Sequence, residues 1–309
     1  MPLSPFQSQV LQLLSGNRSE DSYLAGASAL HLEPNSIRMS EDLDFFHDIE
    51  RAVSDAFERD AQLLTSSGYR VEVDLKLTAY IRATIHQKQE SVKIEWARDS
   101  AWRFLPLERS DIAGFTLSRI DLVINKLLAL VGRDEPRDYI DVVHLIESDL
   151  PLGAQIWAAC GKDPGFTPEG ILDLCRRKGR YRPEDFDRLK FNDRIDLTIA
   201  SGSASVVGSE TAIRSKTSKG SNGALSSEAA RSKKSAIDLV ALKARWLKAI
   251  ESAETFIEFA PAETLAALFF DQNAKRFIQP DFPQMAERLG RDLQVHSGRP
   301  GGVLPVVLD

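Results

Sequence analysis

Asp42 and Asp44 flank Leu43 in the run Ser-Glu-Asp-Leu-Asp-Phe-Phe, and the tripeptide Gly26-Ala27-Ser28 ends fourteen residues before the first of them. Side chains alternate faces along a strand, so an extended segment here sets both carboxylates on one side and Leu43 on the other. Two carboxylates about 4 Å apart repel by roughly 4 kcal/mol at an effective dielectric near 20, so the pair calls for a cation. A hard divalent ion such as Mg²⁺ or Mn²⁺ suits oxygen-only ligands at this density. Upstream, Ser22 to Ala25 has strand character and Ala29-Leu30-His31-Leu32 opens a helical run. The unbulky turn between them can aim backbone N–H groups at an anion. A metal beside a phosphate cradle points to phosphoryl or nucleotidyl transfer.

A third carboxylate strengthens such a site. Val92-Lys93-Ile94-Glu95-Trp96 alternates with strand period and places Glu95 opposite Ile94, which makes Glu95 the favoured third acid. Asp74 competes for the position and is less favoured, because its strand precedes the hairpin. The histidines, His31, His47, His86, His144 and His296, show no ligand spacing.

Several elements must hold these residues. Residues 6–14 and 48–66 have helical apolar spacing, and Gly68 ends the second helix. From Tyr69 the pattern changes: Val71, Val73, Leu75 and Leu77 alternate with Arg70, Glu72, Asp74 and Lys76. Strands follow around Tyr80 to His86 and Ser91 to Ala97, joined by the polar turn Gln87-Lys88-Gln89-Glu90. After Pro106 the pattern predicts helices: Ser118 to Val131, Asp138 to Glu147, and a helix capped by Thr167 with Pro168 in its first turn. Residues 198–236 are rich in Ser, Ala, Gly, Lys and Thr and poor in large apolar groups, which predicts a disordered insertion. Leu242, Trp246, Ile250, Ala253 and Ile257 mark one face of a helix over Leu239 to Ala260, and Gln279 to Asp309 is expected to be extended. The fold class expected is α+β, divided into a mixed-sheet core over 1–106, a helical domain over 107–197, the insertion over 198–236, and a C-terminal helix with an extended tail over 237–309.

The 309 residues, 43% hydrophobic and 27% charged, suit a sizeable globular core. No apolar run approaches membrane-spanning length and the N-terminus lacks signal-peptide character, so a cytoplasmic protein with no membrane partner is expected. Cys160 and Cys175 have neither zinc-site nor Cys-x-x-Cys spacing and are expected to be packed free thiols. A net charge of −6 argues against a protein that coats nucleic acid nonspecifically. The run Arg176-Arg177-Lys178 is expected at a solvated helix end.

The segments Tyr23-Leu-Ala-Gly-Ala-Ser-Ala-Leu-His-Leu, Arg38-Met-Ser-Glu-Asp-Leu-Asp-Phe-Phe and Lys93-x-Glu95 are followed by Lys126-Leu-Leu-Ala-Leu and Arg137-Asp-Tyr-Ile-Asp141. Together they resemble the AbiEii/AbiGii toxin family of nucleotidyltransferases, within the DNA polymerase β-like superfamily. The resemblance spans about Leu24 to Glu147. It implies a polymerase β-like nucleotidyltransferase core in which Gly26 and Ser28 hold a triphosphate, Asp42 and Asp44 bind Mg²⁺, and Glu95 completes the metal site and helps deprotonate the attacking hydroxyl. Lys126 would neutralise the triphosphate, and Arg137, Asp138 and Asp141 would shape or support the nucleotide pocket. Arg38 is read as a phosphate contact or a partner for Glu41. Implied partners are a nucleoside triphosphate, an RNA acceptor, notably tRNA, and a cognate antitoxin.

Two departures stand out. Ala27 occupies the place of the family's second glycine, and Glu95 that of its usual third aspartate. The rival readings are a nucleotide-binding module that has lost transfer through these changes, and a metal-dependent phosphohydrolase.

Overall fold

Alternation of apolar and polar residues decides how the first hundred residues are layered. The computed structural model describes residues 3–32, 36–191 and 238–307, and the stretch 198–236 lies outside the described residues. Helix α1 (Pro5–Leu14) opens with a capping box in which Gln7 N–H donates to Ser4 Oγ and Ser4 N–H to Gln7 Oε1. It is followed by β1 (Ser22–Ala25), the short helix α2 (Gly26–Leu30), β2 (Asp42–His47), α3 (Glu50–Ser66), β3 (Arg70–Lys76), β4 (Tyr80–Gln87) and β5 (Glu90–Arg98). Three short strands come next: β6 (Trp102–Arg103), β7 (Glu108–Ser110) and β8 (Gly114–Thr116). Among the described residues one mixed sheet runs in the order β3-β4-β5-β2-β1-β8-β7, with β2 parallel to β5 and β1 parallel to β8.

One face of the sheet is covered by α3, whose Val53, Ala56, Phe57 and Leu64 are buried with Leu43, Phe45, Ile94 and Trp96 of the central strands. Fully burying each large apolar group contributes about 1.5–3 kcal/mol, so this face carries the stability and leaves the other free for polar residues. A buried ionic knot pins the two layers. The Asp60 carboxylate of α3 accepts from Arg18, from Asn17 Nδ2 at 2.9 Å and from Trp96 Nε1 at 2.8 Å, and the Arg18 guanidinium lies 4.1 Å from the centre of the Phe45 ring. Both charges are excluded from water. Removing one leaves the other buried and unpaired, so Asp60→Ala should lower unfolding free energy by about 3–5 kcal/mol. Urea unfolding monitored by Trp fluorescence measures this; a loss below about 1 kcal/mol would show that the knot is not holding the layers.

The sheet does not end at residue 106 as expected: β7 and β8 join it before the C-terminal helical layer begins. These strands have three residues each, too short to show a period in the sequence. The helical layer comprises α4 (Arg119–Arg133), α5 (Pro136–Ser148), α6 (Leu152–Lys162), α7 (Pro168–Arg176) and α8 (Leu239–Phe259). Helix α6 was not anticipated, because it is buried continuously from Leu152 to Cys160 and so has no polar face to generate a 3.6-residue pattern. Thr167 caps α7 through its hydroxyl, as expected. Cys160 and Cys175 are buried free thiols, pushed up by burial to about 11 and about 12. Arg176 is not simply solvated: it pairs with Asp173 and with Glu254, joining α7 to α8.

The C-terminal region is also more ordered than the expected extended tail. Strands β9 (Ala267–Asp271), β10 (Arg276–Ile278) and β11 (Leu293–Ser297) form a small antiparallel sheet, and α9 (Phe282–Met285) packs Phe282 against Phe269 and Phe256. Finally β12 (Arg299–Pro300) pairs with β6. Among the described residues no helix is long and apolar enough to cross a membrane.

Candidate active site

The polar face of β2 looks into a cavity of about 560 Å³ between the sheet and α4 and α5. Asp42, Asp44 and Phe46 alternate with buried Leu43, Phe45 and His47. Because β2 and β5 are parallel neighbours, register places Lys93 opposite Asp42 and Glu95 opposite Asp44. The three carboxylates therefore line one wall. Asp74 is not the third: it lies on the exposed edge strand β3, where Thr84 Oγ1 donates to it at 2.9 Å.

Electrostatics record the crowding. Burial, then Glu95 and Asp42, push Asp44 up to about 6, and the opposing fields of Lys126 and Arg137 only partly offset them. Tyr80 also lines the cavity; burial first and the Glu95 carboxylate second push its phenol up to about 12. Lys93 Nζ lies 3.6 Å from Asp42 Oδ1, a partly exposed contact of small worth. Among the described residues no three His, Cys, Asp or Glu side chains converge as a finished metal cage.

Gly26 touches this trio directly. Its φ is +59°, and a Cβ there would lie 2.2 Å from Asp44 Oδ2. Glycine is required twice, for the backbone angle and for the space. Ala27 also lines the cavity and is not among the residues of positive φ, so its methyl imposes no backbone strain. Ser28 has a different position from the one expected of a triphosphate ligand. Its hydroxyl is fully buried, donates to Ala25 O at 3.0 Å and accepts the Asp44 N–H at 3.1 Å, so it sets where Asp44 sits.

The basic wall is partly neutralised before any ligand arrives. Lys126 Nζ is 3.0 Å from Asp138 Oδ1 and 3.3 Å from Asp141 Oδ2, and Arg133 donates to Asp138. Arg38 forms a two-pronged pair with Asp141, at 2.8 and 2.6 Å, and His31 Nε2 adds a contact at 3.3 Å. Burial works to raise the Asp141 carboxyl, but Arg38, His31 and Lys126 outweigh it and hold it well below the usual carboxylate range. Asp138 is likewise lowered, with Lys126 and Arg133 overcoming burial. Asp138 and Asp141 therefore orient the cations behind the wall and do not themselves face the cavity. Arg38 does not pair with Glu41 as one reading expected; the Glu41 partner is Lys190, at 3.2 Å.

Arg137 has no ion partner or hydrogen-bond acceptor among the described residues, and its Nε is buried and unsatisfied. Residues that sequence reasoning passed over also line the cavity: Tyr80, Asn125, Arg133 and the segment Arg188 to Lys190. Tyr80 was within a strand already recognised, and its spacing from Arg82 marked the polar face. Arg188 and Lys190 carried no signal, since long-range contacts bring them to the site: the pairing of Phe191 with Arg38, the Met39 N–H to Lys190 O and the Lys190–Glu41 ion pair.

No curated protein matches the chain. Among solved structures it is similar to JHP933 from Helicobacter pylori, at 18% identity over 56% of this chain and 82% of that one, with a TM-score of 0.39. A second H. pylori protein described as a nucleotidyltransferase aligns at 13% identity over 81% and 94% of the two chains, with a TM-score of 0.45. The nucleotidyltransferase toxin MenT4 from Mycobacterium tuberculosis H37Rv aligns at 18% identity over 58% and 68%, with a TM-score of 0.40. The family described as nucleotidyl transferase AbiEii toxin, type IV toxin–antitoxin system, matches residues 12–212, so the chain belongs to the AbiEii nucleotidyltransferase toxin family.

Proposed function

We propose that the chain transfers a nucleoside monophosphate from a nucleoside triphosphate to a hydroxyl acceptor on RNA, with tRNA the favoured class, in a reaction that depends on Mg²⁺ or Mn²⁺. The observation that carries this reading is the register of β2 against β5: Asp44 and Glu95 stand side by side, with Asp42 on the same face and the unpartnered Arg137 lining the same cavity. An all-oxygen donor set that strains Asp44 towards neutrality fits a hard divalent ion. Mg²⁺ is commonly held by one or two carboxylates together with substrate phosphates, so such a site does not require three converged protein ligands. Asp42, Asp44 and Glu95 would hold it, and it would supply charge neutralisation at the transferring phosphate.

In this mechanism the cavity aligns the acceptor hydroxyl with the α-phosphate. The acceptor O–P bond forms, the bond from the α-phosphorus to the bridging oxygen breaks, and pyrophosphate leaves. Glu95 takes the hydroxyl proton. Arg137 stabilises negative charge on the polyphosphate from the α5 side, while Lys126 and Arg38, fixed by Asp138 and Asp141, supply a static positive field. Membership of the family implies a cognate antitoxin.

Incubating the protein with Mg²⁺ or Mn²⁺, each labelled nucleoside triphosphate and total tRNA should label the RNA, and Asp44→Ala should abolish the label. Nucleotide binding without label under varied metals and acceptors would instead identify a binding module. Phosphate release with no acceptor would identify a phosphohydrolase.

A further inference from the structure

The cavity is lined by six cationic side chains, and their pairing separates them sharply. Arg38 is bound to Asp141, Lys126 to Asp138 and Asp141, Arg133 to Asp138, and Lys190 to Glu41. Arg137 and Arg188 have no acidic partner among the described residues. This is notable for Arg188, because Glu41, Asp42, Asp44, Glu95 and Asp99 line the same cavity and none of them has captured it.

Arg188 is also held in place. Two residues later, Lys190 O accepts the Met39 N–H at 2.8 Å, and Phe191 bridges to Arg38. The Leu189 N–H donates to Phe186 O at 3.0 Å, and the Phe186 ring is buried against Tyr181. The Met39 end of this pairing leads straight into β2, since Gln7 Nε2 donates to Ser40 O and Glu41 O and Ser40 Oγ to Asp42 O. The backbone that carries Arg188 is thus tied to the strand that carries Asp42 and Asp44, while its exposed guanidinium remains free to meet an incoming ligand.

We propose that Arg188 is a phosphate-binding residue of this cavity, acting with Arg137 to grip a phosphate group that spans from the carboxylate wall to the lip. The proposal rests on the nucleotidyltransferase reading of the site and adds a residue to it. A guanidinium presents a planar fork that meets two phosphate oxygens at once, and it stays charged at any working pH. The four paired cations would each have to abandon a carboxylate to do the same, so the two free arginines are the groups available for direct contact. The phosphate can come from the nucleoside triphosphate or from the RNA backbone, and binding measurements separate the two.

Equilibrium binding of each nucleoside triphosphate to the full chain, without RNA, should weaken about tenfold in Arg188→Ala, with Arg188→Lys recovering part of the loss. Binding of the corresponding uncharged nucleoside should not change. If the phosphate belongs to RNA, nucleotide binding is unchanged, tRNA binding without nucleotide weakens, and the slope of log K against log salt falls by about 1. Either result supports the assignment. If wild-type protein binds nucleotide or tRNA and Arg188→Ala, with an unaltered circular dichroism spectrum and melting temperature, binds both equally well, Arg188 has no such role. If the wild type binds neither ligand, the nucleotidyltransferase reading itself fails.

Discussion

Asp44→Asn should reduce transfer by about a thousandfold and, at neutral pH and above, raise the melting temperature in the absence of metal. The activity loss follows from removing a charge at the centre of the carboxylate wall, where a single preorganised electrostatic contact is worth about 10²–10³ in rate and where, in the proposed reaction, this carboxylate would also hold the divalent ion. The stability gain follows from the sign of the Asp44 shift. Its carboxyl is raised from 3.8 to about 6, so the folded state holds the proton more tightly than the unfolded chain does. Stability contributed by the neutral form is present below the unfolded value and is lost as pH climbs from about 4 to about 6. Above that window the ionised group costs at most about 3 kcal/mol, reduced by water in the open cavity. An uncharged isostere removes the cost, which corresponds to several degrees in melting temperature for a chain of this size. Asp138 and Asp141 behave oppositely: their lowered values give stability that is present above about 4 and is lost as pH falls further. Thermal melts across pH 4–8, with and without Mg²⁺ and nucleotide, measure all of this. Wild-type protein should gain stability from the ligands and Asp44→Asn should not. A variant that is inactive yet melts lower at pH 7.5 would make Asp44 a structural residue; a variant with full activity would remove it from the site.

The opposite signs for Asp44 and for Asp138 with Asp141 also explain which parts of the site were legible beforehand. Asp42, Asp44 and Glu95 announce themselves because strand period is local: two residues of separation set a face, and the alternation of Val92, Ile94 and Trp96 sets the next strand's face. Helices α3, α4, α5, α7 and α8 were readable for the equivalent reason at helical period. Whether a charge is free or paired is not local. Lys126 looks like a helix lysine and Asp141 like a helix aspartate, and only folding brings Arg38 to Asp141 from 103 residues away. Ser28 shows the same limit: its sequence context fits a phosphate ligand, but two backbone partners use its hydroxyl first. Strands β7 and β8, helix α6 and the small sheet of β9, β10 and β11 escaped because they were too short, too uniformly apolar, or divided by turns that hid their pairing.

Gly26→Ala should be the most damaging single methyl in the site, and Ala27→Gly, one residue on, nearly silent. At Gly26 the new Cβ must adopt a left-handed φ, which costs a non-glycine residue about 1–2 kcal/mol, and it must also displace the Asp44 carboxylate from 2.2 Å. Moving a reacting group by about 1 Å can cost on the order of 10² in rate, so transfer should fall at least that far while the fold survives. Ala27 needs no glycine angle, and replacing it adds only unfolded-state entropy, less than about 1 kcal/mol. The two components at Gly26 separate in a double-mutant cycle read by urea unfolding. With Asp44 already truncated to Ala the contacts to Oδ2 and Cγ are gone and only the 2.9 Å approach to Cβ remains, so Gly26→Ala should then cost less than in the wild type, and the two substitutions should couple by about 1 kcal/mol or more. Strict additivity would mean that the turn and the carboxylate are not in contact. The close approach of Gly26 to Asp44 would then no longer account for the glycine, and its place beside the three carboxylates would need another cause.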